Sequence, residues 1–184
     1  MNNYSSPPGT AGNATDAANT RAFLQQALDH YPRLAVLGFT LVLPYRETLS
    51  GYRTLILHFH TEVWQRTGEY SQARQQARHR SPPALLRWIW EAASAPECKM
   101  VLMLNLDTLR RTHDESAMQV ISDILRESCL TVTGADCTGV TDITPAILNC
   151  PDRSAFRMRF SQLKATVEGM SLPVITARTG VIGP

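Results

Sequence analysis

Arg33-Leu34-Ala35-Val36-Leu37-Gly38-Phe39-Thr40-Leu41-Val42-Leu43 is the stretch that decides the fold. Pro32 precedes it and Pro44 stops it. A strand sends successive side chains to opposite faces. Here the apolar residues fall on both parities, which predicts a central strand buried on both sides. Upstream, Ala18, Phe23, Leu24, Ala27, Leu28 and Tyr31 recur at helical spacing over 17–31. Downstream, Thr48 or Ser50 can cap a helix whose stripe is Tyr52, Leu55, Ile56, Phe59 and Val63, with Gly68 as its stop.

Tyr70 to Arg80 is polar and arginine-rich and either extends the helix or forms a loop, until Ser81-Pro82-Pro83 breaks it; residues 85–91 and 100–106 then read as two strands of a hairpin. Thr112 and Glu115 form a capping box, and Ala117, Met118, Ile121, Ile124 and Leu125 continue as a helix. Residues 130–144 are expected to give an edge strand with loops. A last helix runs from its cap Asp152 to Gly169 on the stripe Phe156, Phe160, Leu163 and Val167, followed by a tail or short edge strand. This order predicts an α+β fold, a mainly antiparallel sheet packed against helices, in one domain over 19–184 behind a flexible tail over 1–18.

Composition excludes several classes. With 184 residues, 43% apolar and 18% charged, the chain is neither disordered nor a disulfide scaffold. No apolar run is long enough for a membrane span. No basic cluster followed by an apolar stretch opens the chain, so no signal peptide is expected. Cys98, Cys129, Cys137 and Cys150 are too far apart for a Cys-x-x-Cys motif, so reduced thiols in the cytoplasm are expected. Neither a phosphate loop nor a nucleophile elbow is present, and no cofactor is implied.

The net charge of +2 conceals an uneven distribution. All basic residues except Lys99 and Lys164 are arginines, a bias that a GC-rich genome also produces. Arg74, Arg78, Arg80 and Arg87 fall in a window without a carboxylate, just ahead of Trp88 and Trp90. Arg153, Arg157 and Arg159 form a second basic group. Arginines beside aromatics suit a phosphate backbone with stacked bases, while the plainer reading, a solvated helix face followed in the first group by core tryptophans, is the favoured one for both groups. His58-Phe59-His60 looks like a metal pair. On a helix, however, residues two apart lie ~200° around the axis, so solvent-facing histidines on opposite sides are expected. Asp107, Asp114 and His113 are read as a strand end and a first helical turn rather than acid–base machinery.

The order of motifs resembles the YagK/YfjJ-type domain of prophage proteins and inovirus-like phage replication proteins. The resemblance rests on Tyr31-Pro32-Arg33-Leu34-Ala35-Val36 leading to Leu41-Val42-Leu43-Pro44, on Arg87-Trp88-Ile89-Trp90, and on Cys98-Lys99-Met100-Val101-Leu102-Met103-Leu104-Asn105. It implies a ferredoxin- or RRM-like replication-initiator scaffold with a His-hydrophobe-His metal site and an attacking tyrosine. At the matching positions stand Thr40, Val42, Cys98, Met100 and Thr166, and no tyrosine follows Tyr70. The resemblance therefore implies a catalytically degenerate domain that binds DNA, single- or double-stranded, or a protein partner, with no metal and no membrane. Val42 and Met100 should then be packed. Two alternatives stand beside it: a small mobile-element interaction or inhibitor protein, and a divergent nicking enzyme using His58, His60 or His113 with Tyr52 or Tyr70.

Overall fold

The computed structural model describes residues 11–31, 33–77, 85–91, 93, 95–108, 114–134, 139–149, 153–170 and 173–179. The elements are α1 (Ala11–His30), β1 (Arg33–Val42), α2 (Leu49–Ala77), β2 (Leu85–Trp90), β3 (Glu97–Asn105), α3 (Asp114–Thr133), β4 (Val140–Asn149), α4 (Arg153–Glu168) and β5 (Val174–Thr179). Their sheet order is β4-β1-β3-β2-β5, with every neighbouring pair antiparallel. The fold is α+β. Strands β1 to β4 with α2 and α3 form the β-α-β-β-α-β unit of the ferredoxin-like topology. To this core are added α1, α4 and the edge strand β5.

The two parities of β1 explain the layering. Ala35, Leu37, Phe39, Leu41 and Leu43 join Trp88, Met100 and Leu102 in one core cluster, against Phe59 and Val63 of α2 and Ile121 and Leu125 of α3. Leu34 and Val36 join Ile89, Val101 and Met103 in a second, with Leu24 and Leu28 of α1 and Leu163 and Val167 of α4. Helices thus cover both faces. Each fully buried Leu, Ile, Val, Phe or Met side chain contributes about 1.5–3 kcal/mol of gross transfer energy. Leu37, Leu41, Leu102 and Val101 are all fully buried, which makes the β1–β3 pair the centre of that energy.

Several boundaries differ from the sequence expectation. Helix α1 begins at Ala11, so residues 11–18 of the expected tail are helical. Helix α2 does not stop at Gly68 but runs on to Ala77. Val63, Thr67 and Ser71 are buried one turn apart, and that packing outweighs the ~1 kcal/mol a helical glycine costs. Thr48 is the cap of α2, its Oγ1 accepting from the Gly51 N–H at 3.1 Å. Residues 130–133 are helical because α3 keeps burying one face through Ser128 and Cys129. Gly134, at φ 66°, then ends α3, and its N–H donates to the Leu130 carbonyl. The edge strand follows as β4, with an irregularity opposite Gly38–Thr40 where Asp142 takes φ 55°. The capping residue Thr112, with Arg110, Arg111 and His113, lies outside the described residues, as do Cys137, Cys150 and Asp152. Among the described residues no helix is long and apolar enough to cross a membrane.

Candidate functional site

The positions matching the initiator site do not meet. Strands β1 and β3 pair in a register that sets Thr40 opposite Lys99 and Leu41 opposite Cys98. Thr40 and Val42 share a parity with Leu34 and Val36 and stand, half-buried, on the α1/α4 side. Cys98 and Met100 point the other way, into the core beneath α2 and α3. Thr166 is exposed on α4. The expectation that these positions form one degenerate site is therefore corrected: the β1–β3 register puts Thr40 and Val42 on one sheet face and Cys98 and Met100 on the other. Met100 is packed as expected, at 1% exposure, whereas Val42 is only half-buried. Burial, with Glu91 nearby adding to it, pushes the Cys98 thiol up to about 11. The group is held as a neutral thiol, an apolar filler rather than a thiolate ligand. Among the described residues no three of His, Cys, Asp and Glu converge as metal ligands would.

The histidine pair also divides. His58 faces solvent. His60 does not, correcting the expectation of two exposed rings: it is 3% exposed and stacks on Trp88 at 4.0 Å and 11°. Trp90 meets it edge-on at 5.5 Å. The two rings do point to different sides of the helix, but α2 is covered on the second side by the indoles of β2. Tyr52 is buried and Tyr70 half-buried against the same core.

The basic groups fare differently. Arg87 is 5% exposed. Its guanidinium lies 5.4 Å from the Phe23 ring centre and donates to Gln26 Oε1 at 3.1 Å. It ties β2 to α1 and is withdrawn from any phosphate, a correction to its place among the DNA-binding candidates. Arg74 stands in the last turn of α2, and Arg78 and Arg80 lie outside the described residues.

Helix α4 brings the second group together. Only Leu163 and Val167 of its 16 residues are buried. Phe156 and Phe160 stack in parallel at 5.9 Å and pack, half-buried, on the second core cluster. The flank beside this stripe carries Arg153 and Arg157, both exposed, and the half-buried Lys164 further along. These positions are four and seven residues apart and share a face. Neither Arg153 nor Arg157 meets a carboxylate among the described residues, while Lys164 reaches Glu168 at 3.8 Å. Glu168 is the only acidic residue in the helix. Arg159 points elsewhere, donating to the Ile147 carbonyl at 2.6 Å. It thereby covers an outward-facing group of β4, the strand that forms one edge of the sheet. Lys164 is not evident as a candidate from its sequence neighbours, although its spacing of seven from Arg157 lines it up with the arginines along the border of the stripe Phe156, Phe160, Leu163 and Val167.

A groove of about 440 Å³ runs beside that edge, between Glu115, Met118 and Ser122 of α3, Pro145 and Ile147 of β4, and Arg159. It is shallow and open, and Pro145 gives the strand one position without an N–H donor.

Residues 10–141 match a family described as "Uncharacterised conserved protein UCP030791", and the chain belongs to that family. The match spans α1 to α3 and ends at the start of β4, so α4 and β5 lie beyond it. No curated protein and no solved structure matches the chain.

Proposed function

We propose that this family member is a nucleic-acid-binding domain: a replication-initiator-like scaffold that holds nucleic acid without cutting it, acting in the cytoplasm. The observation that carries the reading is the row Arg153, Arg157 and Lys164 on a helix that buries only two of its 16 residues, opposed by a single carboxylate. Guanidinium forks bind phosphate oxygens in paired hydrogen bonds. A small net charge is no obstacle, because such binding draws on local charge. The ferredoxin-like strand order supports the initiator-like scaffold, and the kinship with phage replication proteins rests on the motif order alone. With Thr40 and Val42 on one face and Cys98 and Met100 on the other, the positions that would carry the initiator's chemistry do not form a ligand set.

Filter binding of the full chain to one mixed-sequence oligonucleotide, offered single-stranded and as a duplex, tests the proposal. Retention that falls steeply from low to physiological salt is the expected result. No retention of either form at low salt would overturn it.

A second reading, binding of an extended protein segment, has one observation in its favour: the groove beside the open edge of β4. The Arg159 cap and Pro145 both oppose strand addition there, so this reading ranks below the first.

A further inference from the structure

Building on the nucleic-acid reading, we infer that α4 enters a groove, and that its ligand is duplex DNA contacted from the major groove. The first argument is shape. Ordinary surface helices bury a broad stripe, yet α4 buries only Leu163 and Val167 and packs along β4, at the edge of the sheet. Its outer side and one flank face solvent. A helix with its side chains is about 10–12 Å across, and the major groove is about 12 Å wide.

The second argument is chemistry. Between Arg153 and Lys164 the row extends about 16 Å at 1.5 Å per residue, enough to follow several phosphates. Around the helix from it stand Ser161 on the outer side and Gln162 and Thr166 towards the far flank, all exposed. These side chains suit base edges: an arginine pairs with guanine, a glutamine with adenine, and a threonine methyl touches thymine.

The third argument separates duplex from single strand. Proteins that hold single strands stack bases on exposed aromatic rings. Tyr45, between β1 and α2, is an isolated exposed ring, whereas Phe156 and Phe160 are committed to each other and to the core. Trp88 and Trp90 are buried beneath α2, at 1% and 3% exposure. The sheet face opposite α2 and α3, where an RRM-like domain would offer its rings, is covered by α1 and α4.

The test uses the full chain and a fluorescein-labelled duplex of mixed sequence, read by anisotropy, with the single strand of the same sequence measured alongside. Methyl green, which occupies the major groove, and netropsin, which occupies the minor groove, serve as competitors. Binding should favour the duplex, fall when methyl green is added and withstand netropsin. Arg157→Ala should weaken it by about tenfold or more with an unchanged circular dichroism spectrum, since Arg157 is exposed. Displacement by netropsin alone, or equal binding to the single strand, would overturn the groove assignment and leave the nucleic-acid reading standing. Binding to neither form would overturn both.

Discussion

Helices α2 and α4 pack on opposite faces of one sheet and use their residues in opposite ways. On α2, Phe59, His60 and Val63 are buried, and the imidazole lies flat on Trp88. On α4, two residues are buried and the arginines are left in solvent. Both helices carry histidines or arginines that look functional in the sequence. What differs is the layer opposite: bulky rings from β2 reach up to α2, whereas α4 rests on the small Ala146 and on Leu148 of β4 and leaves its far side uncovered. Chemistry-bearing residue types on a closed face serve packing, and on an open face they remain available to a ligand.

The largest expected effect tests the closed side. Trp88→Ala should cost about 3–5 kcal/mol in urea unfolding, since it empties the space beneath Phe59, His60 and Phe39. Phe160→Ala on α4, half-buried, should cost about 1 kcal/mol. Equal costs would erase the distinction between the two faces.

Cys98 gives the closed side a pH signature. Its thiol is raised from 9.0 to about 11 in the folded chain. A raised acid favours folding while neutral, so its contribution is complete below pH 9 and is lost as pH climbs to about 11. At 1.36 kcal/mol per unit the loss is of order 2–3 kcal/mol. Stability measured at both pH values should fall less in Cys98→Ala than in the parent chain, and an identical fall would contradict the burial argument.

Arg87 sharpens the comparison from within the arginines. Arg87→Ala removes the Gln26 hydrogen bond and the stacking on Phe23 and should cost about 1–3 kcal/mol, while leaving any nucleic-acid affinity intact. The paired change Arg153→Gln/Arg157→Gln should do the reverse, changing the unfolding free energy by no more than about 0.5 kcal/mol. Arg159→Ala stands between them. It removes one hydrogen bond to Ile147, worth about 1–1.5 kcal/mol, and should raise concentration-dependent association through the uncovered edge of β4, visible by light scattering.

Much of the fold is legible in the chain because hydrophobic period is a local signal. The double parity of 33–43, the hairpin of 85–106 and the stripes of α2, α3 and α4 all appear in the order observed. Helix ends are less legible, since Gly68 obeys the tertiary packing of Thr67 and Ser71 rather than its own propensity. The site is harder still. The β3 alternation that parts Cys98 and Met100 from Thr40 depends on a pairing register that no single strand encodes. The burial of His60 and Arg87 depends on Trp88 and on α1 in turn, and each pairing joins segments distant in the chain. The alignment of Arg153, Arg157 and Lys164 is legible by contrast, because positions four and seven apart on a helix share a face whatever packs against it.

The most direct test of the central claim is the salt dependence of duplex binding in the parent chain and in Arg153→Gln/Arg157→Gln. Removing one arginine–phosphate pairing should reduce the slope of log affinity against log salt by about 0.9, so the double variant should show a slope smaller by nearly 2 at unchanged stability. A parent chain without salt-dependent affinity, or a variant with the parent's slope, would contradict the assignment of α4 as the binding face.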